Sequence, residues 1–366
     1  MQIVGAVLET SGADAPFAQS RPFRVGPLEL DGPEAGELFV RIEAAGVCHS
    51  DLSVVDGNRR RPTPMLLGHE AAGIVERLGS GVTDVAVGDR VVMTFLPRCG
   101  ECAGCRTDGR LPCEVGTAAN NAGTLVGGGI RLHRGSDPVH HHLGVSGFAS
   151  HAVVSRTSVV PVPADVPGEI AALLGCAVLT GGGAVMNAAR PEPGTTIAIV
   201  GLGGVGMAAL LVAVALGVRV IGIDAVPAKL DLARDLGAAE ALSPADAVER
   251  GVRVPAAVEA AGNARAFETA LAVTAPGGTT VTVGLPAPDA RAAVSPLQLT
   301  AEARTIIGSY LGSAVPSRDI PQYVDLWRAG RLPLEKLVSS RIRLDDIDAA
   351  MDRLAAGGEL RQLITF

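Results

Sequence analysis

In the second half of the chain, short apolar segments alternate with longer ones in the rhythm of strands followed by helices. The predicted strands are short and apolar, and they span Thr196–Val200, Arg219–Asp224, Ala256–Ala260 and Thr279–Val283. Predicted helices follow the first two strands at Met207–Leu216 and Pro227–Leu236, and a glycine, which commonly ends a helix, comes directly after each. This alternation predicts an α/β fold with a parallel, doubly wound sheet.

The first half of the chain has a different pattern, in which apolar and polar positions alternate between glycine and proline residues. Glu37–Ala44 and Ala72–Leu78 show the period of two that is typical of half-buried strands. A helical period returns at Asp345–Ala356, and a final short strand follows it. These segments predict a β-rich domain that is distinct from the parallel-sheet domain.

Length and charge narrow the class of protein. With 366 residues, the chain exceeds what one hydrophobic core usually organises, so two domains are expected. A formal net charge of −7 argues against a nucleic-acid-binding surface. Met1–Leu8 lacks the basic start of a secretory signal, and the apolar stretch Met207–Leu216 is too short to span a bilayer. We therefore expect a soluble, cytoplasmic protein.

Four of the six cysteines lie close together in the segment CGECAGCRTDGRLPC, at Cys99, Cys102, Cys105 and Cys113. Four thiolates at this spacing can surround one tetrahedral zinc ion, and the glycines allow the backbone to turn its N–H groups toward sulfur. Because the protein would fill all four positions, such a site is structural. Disulfides are disfavoured in a reducing compartment, whereas an iron–sulfur cluster is the main alternative, since spacing alone does not select the metal.

The other two cysteines and one histidine form a second potential ligand set: Cys48 in GVCHSDL, His69 in GHEAAG and Cys176 in LLGCAVLTG. Two thiolates and one imidazole leave the fourth position of a zinc ion open, as in a catalytic site. A single buried cysteine is more often a core residue than a ligand. The prediction therefore depends on the three residues together, each in a glycine-bracketed turn, with no cysteine left over.

A glycine motif, GLGGVG, follows the first predicted strand of the second half and opens the helix after it. In that context the motif is typical of dinucleotide binding, because its glycines allow a tight turn, close approach of a pyrophosphate to the helix N-terminus, and close helix–strand packing. The residues predicted to bind the cofactor here are Gly201, Gly203, Gly204, Val205 and Gly206.

Asp224 ends the second of these strands, where a carboxylate can accept hydrogen bonds from the ribose hydroxyls of a dinucleotide. The same carboxylate would repel a 2′-phosphate. The next three residues, Ala225, Val226 and Pro227, supply no cation to compensate. The sequence therefore favours NAD over NADP.

Taken together, these motifs resemble those of the zinc-containing medium-chain dehydrogenase/reductase family, in its classical, class III-like alcohol dehydrogenase branch. The resemblance covers essentially the whole chain and includes GVCHSDL, GHEAAGIVERLGSGV, GDRVV, the four-cysteine segment, LLGCAVLTG, GLGGVG and ELRQLITF. It implies a GroES-like, β-rich catalytic domain at residues 1–177 and 312–366, with a structural zinc lobe at 95–115. A Rossmann NAD-binding domain would occupy residues 178–311.

The resemblance also implies an assembly and a set of metal ligands. Family members form dimers, or tetramers in many bacteria, and Thr305–Leu311 would join two cofactor sheets. Cys48, His69 and Cys176 would bind the catalytic zinc and the four clustered cysteines the structural zinc, so that each chain holds two zinc ions. Glu70 would lie beside the catalytic metal and approach it during ligand exchange, and Asp51 would orient His69.

Further positions match family residues that contact the cofactor. Thr180 would pack on the nicotinamide, Lys229 would lie near the adenosine ribose, and His49 and Arg361 would contact the pyrophosphate. Val283, which ends a predicted strand, is assigned to the same site. Gly181, Gly182 and Gly183 are expected to keep the cofactor groove open.

The expected reaction is a reversible hydride transfer between an alcohol and NAD, with zinc as a Lewis acid at the substrate oxygen. Ser50 is the candidate first group of a proton relay. Well-known family members end this relay on a histidine three residues later, where this chain has Ser53, which cannot act as a base. His49 or water would then complete the relay.

Substrate choice depends on fewer signals. Phe95, Leu143 and Phe148 are candidates for an apolar substrate pocket, although a core phenylalanine is nearly as common a reading. The basic run at residues 59–61 speaks against the thiol adduct bound by glutathione-dependent formaldehyde dehydrogenases, whose corresponding segment is acidic. A solvated loop or a contact with an anionic substrate tail would also explain that run.

A primary alcohol or aldehyde of medium size, aliphatic or aromatic, is the first expectation for the substrate. The second is an S-hydroxymethyl adduct of formaldehyde with a different thiol. A catalytically silent binding protein on the dehydrogenase fold is the alternative of another class. A zinc-free quinone reductase is a third alternative, which the two ligand sets oppose.

Overall fold

The computed structural model describes residues 1–366, which form two compact units. The first unit contains residues 1–176 and 338–366, and the second contains residues 177–337. The first boundary lies one residue before the predicted one. Residues 312–337, however, belong to the second unit and not to the predicted catalytic domain. The reason is packing within the second unit, where a Cβ built at Gly182 would lie 2.8 Å from the fully buried ring of Tyr323.

The eighteen strands are β1 Gln2–Leu8, β2 Phe23–Leu30, β3 Glu37–Val47, β4 Met65–Leu66, β5 Glu70–Leu78, β6 Arg90–Met93, β7 Leu132–Arg134, β8 Asp137–His141, β9 His151–Ser155, β10 Val159–Val162, β11 Thr196–Val200, β12 Arg219–Ile223, β13 Glu240–Leu242, β14 Val254–Glu259, β15 Thr274–Thr282, β16 Thr305–Gly308, β17 Val338–Ile342 and β18 Arg361–Thr365.

The α-helices are α1 Phe17–Ser20, α2 His49–Val55, α3 Glu114–Ala122, α4 Gly168–Leu173, α5 Leu179–Gly183, α6 Gly204–Ala215, α7 Pro227–Asp235, α8 Pro244–Glu249, α9 Ala264–Val273, α10 Pro296–Ala301, α11 Pro316–Arg328 and α12 Ile347–Ala355. Two π-helical segments, Leu174–Val178 and Ala184–Ala189, flank α5. Short 3₁₀ helices occur at Cys105–Thr107, Arg156–Ser158, Tyr310–Ser313, Leu334–Leu337 and Leu344–Asp346.

In the first unit, a closed barrel of β1, β2, β7, β8 and β4 accompanies a seven-stranded sheet in the order β10-β6-β5-β3-β18-β17, with β9 also paired to β3. Side chains of β3 alternate between two apolar clusters, because Leu38 and Val40 enter one core and Phe39 the other. This alternation is the period of two predicted from the sequence of this strand.

Strand register in the first unit brings three chain segments together at one end of the neighbouring strands β5, β3 and β18 of the seven-stranded sheet. β3 pairs antiparallel with β5, placing Gly46 opposite Glu70, and β18 pairs antiparallel with β3, placing Gln362 opposite Val47. Cys48 and His69 come just beyond these pairs, so they lie at the same end of the strands. Register, which one sequence does not reveal, thus assembles the site described below.

The second unit contains a six-stranded sheet in the order β13-β12-β11-β14-β15-β16, in which every pair is parallel. Counted within the unit, this is the order 3-2-1-4-5-6 of a dinucleotide-binding doubly wound sheet. The predicted fold class, a GroES-like β-rich part with a Rossmann part, is confirmed. The predicted strand Thr196–Val200 matches β11 residue for residue, and the other predicted elements are recovered with small shifts of their ends.

The apolar segment Met207–Leu216 falls largely in α6, which is too short to span a bilayer, as expected. A continuous helical stretch at Gly168–Ala189, and not Met207–Leu216, has the length and hydropathy to cross a membrane, with a mean hydropathy of 1.7 over an 18-residue window. The π-helical segments continue the helix through Cys176 and the three glycines of α5. From the sequence, the glycines around Cys176 indicated a turn. Because 89% of that window is buried, the stretch has the environment of a core helix.

Candidate active site and metal centres

Three elements of the first unit bring together the predicted open ligand set. Cys48 caps the N-terminus of α2, His69 immediately precedes β5, and Cys176 lies in the π-helical segment after α4. All three residues are buried, and their ligand atoms lie within 4.8 Å of one another. A Cβ built at the neighbouring Gly175 would lie 2.0 Å from the Met93 carbonyl oxygen, so only glycine allows this close approach.

The distances in this cluster fit one tetrahedral ion. His69 Nε2 lies 3.4 Å from Cys176 Sγ. Two ligands on one zinc ion, with Zn–N and Zn–S bonds of ordinary length, would be separated by about 3.5 Å. Three protein donors leave one coordination position for an exogenous ligand. The donor set and its spacing therefore suit a catalytic zinc ion.

Asp51 is completely buried and holds this cluster in place. One carboxylate oxygen, Oδ1, lies 2.9 Å from His69 Nδ1, and the other accepts the Cys48 backbone N–H at 3.0 Å. Burial raises the pKa of Asp51. Burial also tends to lower the pKa of His69, but the charges of Asp51 and Cys48 more than offset this effect, and that pKa lies well above its usual value.

The two sulfur atoms of the cluster behave as a pair. A hydrogen bond with Cys176 holds the pKa of Cys48 well below its usual value, and the charges of Arg361 and His69 act in the same direction. The pKa of Cys176 is raised by the same hydrogen bond and by burial. The pKa values of the two thiols are therefore shifted in opposite directions, with the lower one at Cys48.

Glu70 and Arg361 form a buried ion pair at the same end of the sheet's inner strands, where β5 and β18 begin. Arg361 Nε lies 3.1 Å from Glu70 Oε1, and the two side chains are 3% and 0% exposed. The carboxylate occupies the space that a side chain at Gly46 would need, since a Cβ there would lie 2.1 Å from Glu70 Oε1. The structure thus gives Arg361, predicted to contact a pyrophosphate, a carboxylate partner beside the ligand cluster.

The four clustered cysteines also converge. Their sulfur atoms lie within 4.8 Å of one another, and two of the pairs, Cys99–Cys105 and Cys102–Cys113, are 3.9 Å apart. Thiolates on one tetrahedral zinc ion would be separated by about 3.8 Å, whereas an iron–sulfur cluster distributes its cysteines over several irons. The arrangement therefore suits a single ion.

Backbone N–H groups stabilise these sulfurs. Cys113 Sγ accepts from the N–H groups of Cys99 and Gly116, Cys99 Sγ accepts from Cys102, and Cys102 Sγ accepts from Cys105, at 3.3–3.4 Å. The backbone hydrogen bond from Cys105 lowers the pKa of Cys102 to about 6. Three of the four donors are cysteine N–H groups. The glycines of this segment therefore mainly allow the backbone to turn and seldom donate the hydrogen bonds themselves.

The predicted proton-relay residues lie on the first turns of α2. His49 is exposed and Ser50 is half-buried. Ser53, which occupies the place of the missing histidine, donates its hydroxyl to the His49 carbonyl oxygen at 2.9 Å. Its hydroxyl is thereby engaged within the helix.

The candidate pocket residues differ in their environments. Phe95 lies edge-on to His69, with ring centroids 5.7 Å apart, and is 8% exposed. Leu143 is 7% exposed and has a left-handed backbone, with φ of 53°. Phe148 is 0% exposed and packs in the core against Gly68, so the prediction that it lines a substrate pocket is wrong for this structure.

His142 is a residue of this site that sequence reasoning missed. It is 1% exposed, its ring lies edge-on to that of His69 at 5.5 Å, and its Nδ1 lies 3.4 Å from Asp51 Oδ1. The only signal in the sequence was the run of three histidines at 140–142, and a run does not show which member is buried beside the ligands.

In the second unit, the glycine motif has the predicted local geometry. Gly201 adopts φ of 91°, and a Cβ at Gly206 would lie 1.8 Å from the Gly201 carbonyl oxygen. A Cβ at Gly203, by contrast, would meet no protein atom within 4 Å. Open space at the N-terminus of α6, next to a tight turn, is what a bound pyrophosphate requires.

The other predicted cofactor residues of this unit lie at strand ends and on helices. Asp224, at the end of β12, accepts the N–H groups of Leu202 at 2.7 Å and Val226 at 2.9 Å. Thr180 and Val283 are 8% and 9% exposed, and Lys229 is half-buried on α7. Asp224 is therefore fixed beside the glycine motif and keeps lone pairs for a ligand.

The three glycines of α5 have a different role from the predicted one. A Cβ at Gly181 would lie 2.2 Å from the Val205 carbonyl oxygen, and one at Gly183 would lie 2.4 Å from that of Gly312. These glycines allow close packing inside the second unit. They are needed for helix packing and not for an open groove.

Comparisons with known proteins agree with this architecture. Residues 34–164 match the family described as alcohol dehydrogenase GroES-like domain, and residues 204–329 match zinc-binding dehydrogenase. An alcohol dehydrogenase zinc-binding domain protein from Burkholderia ambifaria is 33% identical, with a TM-score of 0.92 over 100% of this chain and 99% of that one. Benzyl alcohol dehydrogenase from Acinetobacter calcoaceticus is 31% identical, with a TM-score of 0.91 and the same coverage.

More distant structures extend the comparison. A cobalt- and zinc-bound thermostable alcohol dehydrogenase from Pyrobaculum aerophilum is 27% identical, with a TM-score of 0.81 and full coverage of both chains. Other matched structures contain NADP, NADH or NAD.

Proposed function

This chain belongs to the zinc-type medium-chain alcohol dehydrogenase family, and from that premise we propose that it is a zinc-dependent, NAD-linked enzyme that interconverts a primary alcohol and its aldehyde. The observation that carries the proposal is the buried set of Cys48, His69 and Cys176, whose three donors leave one position open. The first unit would be the catalytic domain and the second the cofactor-binding domain. Within the family, the shared motifs favour the classical, class III-like branch.

When bound, zinc supplies a Lewis acid for the substrate oxygen, and NAD supplies the hydride acceptor. The protein's contribution at the metal is orientation, since Asp51 fixes the tautomer of His69 that leaves Nε2 free to bind. Glu70 lies beside the ligands and is held by Arg361, which would govern its approach to the metal during ligand exchange. The four clustered cysteines would bind a second, structural zinc ion.

The proton of the alcohol would leave through the hydroxyl of Ser50. Ser50 is half-buried and lies on the first turn of α2, which Cys48 caps. Ser53 is engaged with the His49 carbonyl oxygen and has no basic group, so it does not extend the relay. The exposed imidazole of His49, or water, would then pass the proton on.

NAD is favoured over NADP because the Asp224 carboxylate lies beside the glycine motif and would repel a 2′-phosphate. Gly201, Gly203, Gly204, Val205 and Gly206 would hold the pyrophosphate, with Thr180, Lys229, Val283, His49 and Arg361 as further cofactor contacts. Matched structures contain either form of the cofactor, so the preference depends on this chain's own residues.

For the substrate, an alcohol of medium size is favoured, because the ring of Phe95 lies against His69 of the ligand set. Leu143, which is 7% exposed, remains the other candidate for the substrate pocket. The similarity to a benzyl alcohol dehydrogenase makes aromatic alcohols the first compounds to test. We further propose a soluble, cytoplasmic homodimer, or a tetramer built from such dimers.

The proposal is tested by following NADH absorbance with purified enzyme over aliphatic and aromatic alcohols and aldehydes. Formaldehyde is included with and without low-molecular-weight thiols. We expect turnover of primary alcohols without thiol. Turnover of formaldehyde only in the presence of a thiol would replace this substrate class with an S-hydroxymethyl adduct. A chain that holds two zinc ions yet changes NADH absorbance with none of these compounds would instead be a binding protein.

A matched pair of variants tests the relay. Ser50→Ala should lower kcat about 100-fold, the usual contribution of a positioned proton-transfer group, without loss of zinc. Ser53→Ala removes a hydroxyl from the same helix and should leave kcat within about twofold. Equal effects of the two changes would contradict the role of Ser50.

A further inference from the structure

His142 is held in an unusual turn at the edge of the open ligand set. It directly follows β8, its N–H donates to Ser146 Oγ at 3.0 Å, and its carbonyl oxygen accepts the N–H groups of Val145 and Ser146. Leu143 and Ser146 both have φ of 53°, a conformation that residues other than glycine rarely adopt. Strained backbone of this kind persists where the surrounding structure holds it and often supports a functional group.

The side chain of His142 reaches the carboxylate that orients the metal ligand. Asp51 Oδ2 accepts the Cys48 N–H, and Oδ1 lies 2.9 Å from His69 Nδ1 and 3.4 Å from His142 Nδ1. No protein group is within hydrogen-bonding geometry of His142 Nδ1. A fully buried carboxylate needs donors around it. The imidazole of His142 is the third polar group beside Asp51, in contact with Oδ1 at 3.4 Å but not hydrogen-bonded to it.

The same imidazole also restricts the ring of His69. Phe95 and His142 each lie edge-on to this ring, with ring centroids 5.7 and 5.5 Å away and interplanar angles of 87°. If the ring of His69 rotated about its Cβ–Cγ bond, it would therefore collide with both neighbouring rings. His142 thus acts on His69 by contact and through their shared carboxylate.

We propose that His142 is a positioning residue, which holds Asp51 and the ring of His69 in the orientation that metal binding requires. The proposal rests on the proposed metal site, but not on the proposed alcohol–aldehyde reaction. Partners outside the ligand set commonly change metal affinity by about 10- to 100-fold. The lower end is expected here, because the 3.4 Å contact is longer than an ordinary hydrogen bond.

A second metal ion is the competing reading of these residues, because the ligand atoms of Asp51, His69 and His142 also lie within 4.8 Å of one another. That ion would need His69 Nδ1, which already lies at hydrogen-bonding distance from Asp51, while Nε2 faces Cys176. Binding two ions through one imidazole would require loss of both ring protons. The positioning role requires no such change.

The test compares His142→Asn, His142→Gln and His142→Phe in the zinc-loaded full chain. An asparagine amide places a polar N–H group where Nδ1 lies, whereas a glutamine amide reaches the place of Nε2, and phenylalanine keeps only the ring. Zinc release to a coloured chelator is followed in time, and Cys48→Ser identifies the kinetic phase of the open site. His141→Gln, which removes a neighbouring buried imidazole, is the control.

We expect release from the open site to be about tenfold faster in His142→Gln and His142→Phe, and within about twofold of wild type in His142→Asn and the control. In cobalt(II)-substituted protein, the thiolate–cobalt absorption bands should change in His142→Gln and stay as in wild type in His142→Asn. Wild-type release in both His142→Gln and His142→Phe, or equal release from the two amide variants, would overturn the proposal. So would a third metal ion per wild-type chain. Thermal unfolding checks folding, and the amide pair decides the result if His142→Phe does not fold.

Discussion

At the scale of single residues, the ligand cluster depends on small groups that leave space for charged ones. Gly46 faces Glu70 across the β3–β5 pair, and the carboxylate occupies the volume that a larger residue would fill. Asp51 contacts two members of the ligand set, with Oδ1 near His69 Nδ1 and Oδ2 accepting the Cys48 N–H. The residue types were visible in the sequence, but the partner of each one was not.

Gly46→Ala should therefore destabilise the first unit. Its Cβ would lie 2.1 Å from Glu70 Oε1, so the Glu70–Arg361 pair would have to move within a buried environment. Overpacking of this kind costs about 1–3 kcal/mol, measured as the free energy of unfolding in urea.

Gly26→Ala is the matched control, because Gly26 lies in β2 and a Cβ there would meet nothing within 4 Å. Its free energy of unfolding should change by less than about 0.5 kcal/mol. Equal losses in the two variants would show that the contact with Glu70 is not the cause.

His141 provides a prediction about pH. Its Nε2 accepts the Arg131 N–H at 3.0 Å, and burial lowers its pKa to about 3. Because the unfolded chain binds the proton with a pKa of about 6.5, the stabilisation is complete above that pH and is lost as the pH falls toward the folded value. Between pH 7 and pH 5, His141 should cost the protein about 2 kcal/mol of unfolding free energy.

The check is urea unfolding at both pH values for wild type and His141→Gln, whose amide oxygen can still accept the Arg131 N–H. The variant should lose less stability on acidification than wild type. A loss of the same size in both proteins would mean that another group governs the acid response.

At the scale of elements, two of the three open-site ligands lie at the start of a regular segment, and the third lies within a helix. Cys48 caps α2, His69 precedes β5, and Cys176 lies where the helix after α4 widens into a π-helical turn. In the second unit, the turn between β11 and α6 presents Gly203 to open space, and Asp224 follows β12 directly. Within each unit, the functional residues therefore lie at or close to the ends of regular segments.

The double variant Asp224→Gly with Ala225→Arg should shift the cofactor preference toward NADP. It removes the carboxylate that would repel a 2′-phosphate and adds a cation next to its place. The ratio of kcat/KM for NAD to that for NADP should fall by at least about 100-fold, the equivalent of roughly 2.7 kcal/mol.

Asp224→Asn is the companion variant, since it removes the charge but keeps one oxygen that can accept the N–H group of either Leu202 or Val226. It should give a smaller shift in the same direction. An unchanged preference for NAD in the double variant would refute the role of Asp224.

At the scale of the whole molecule, each unit has its own sheet and core. β16 is the last strand of the six-stranded sheet, so one of its edges has no partner strand within the chain. Just before it, α10 exposes Leu297 at 78% of its surface, the most exposed large apolar side chain of the protein. An open strand edge and an exposed apolar side chain each favour pairing with another copy.

Leu297→Glu should therefore weaken the proposed dimer, which would appear as a smaller mass by light scattering at micromolar protein concentration. Val248→Glu is the control, because Val248 is 50% exposed on α8, which follows the strand at the opposite edge of the same sheet. It should leave the mass unchanged. A monomeric wild-type protein, or a dimer that both variants retain, would contradict this assignment.

The sequence by itself determined the class of fold and the residue types of the site. Strand and helix periods depend on local alternation, so β11 and α6 were recognisable from a few residues each, as were the cysteine spacing and the glycine motif. Only the tertiary structure decided that residues 312–337 belong to the second unit, that Phe148 is a core residue, and that His142 lies against Asp51. These features depend on strand register and on contacts between residues far apart in the chain, which local patterns do not encode.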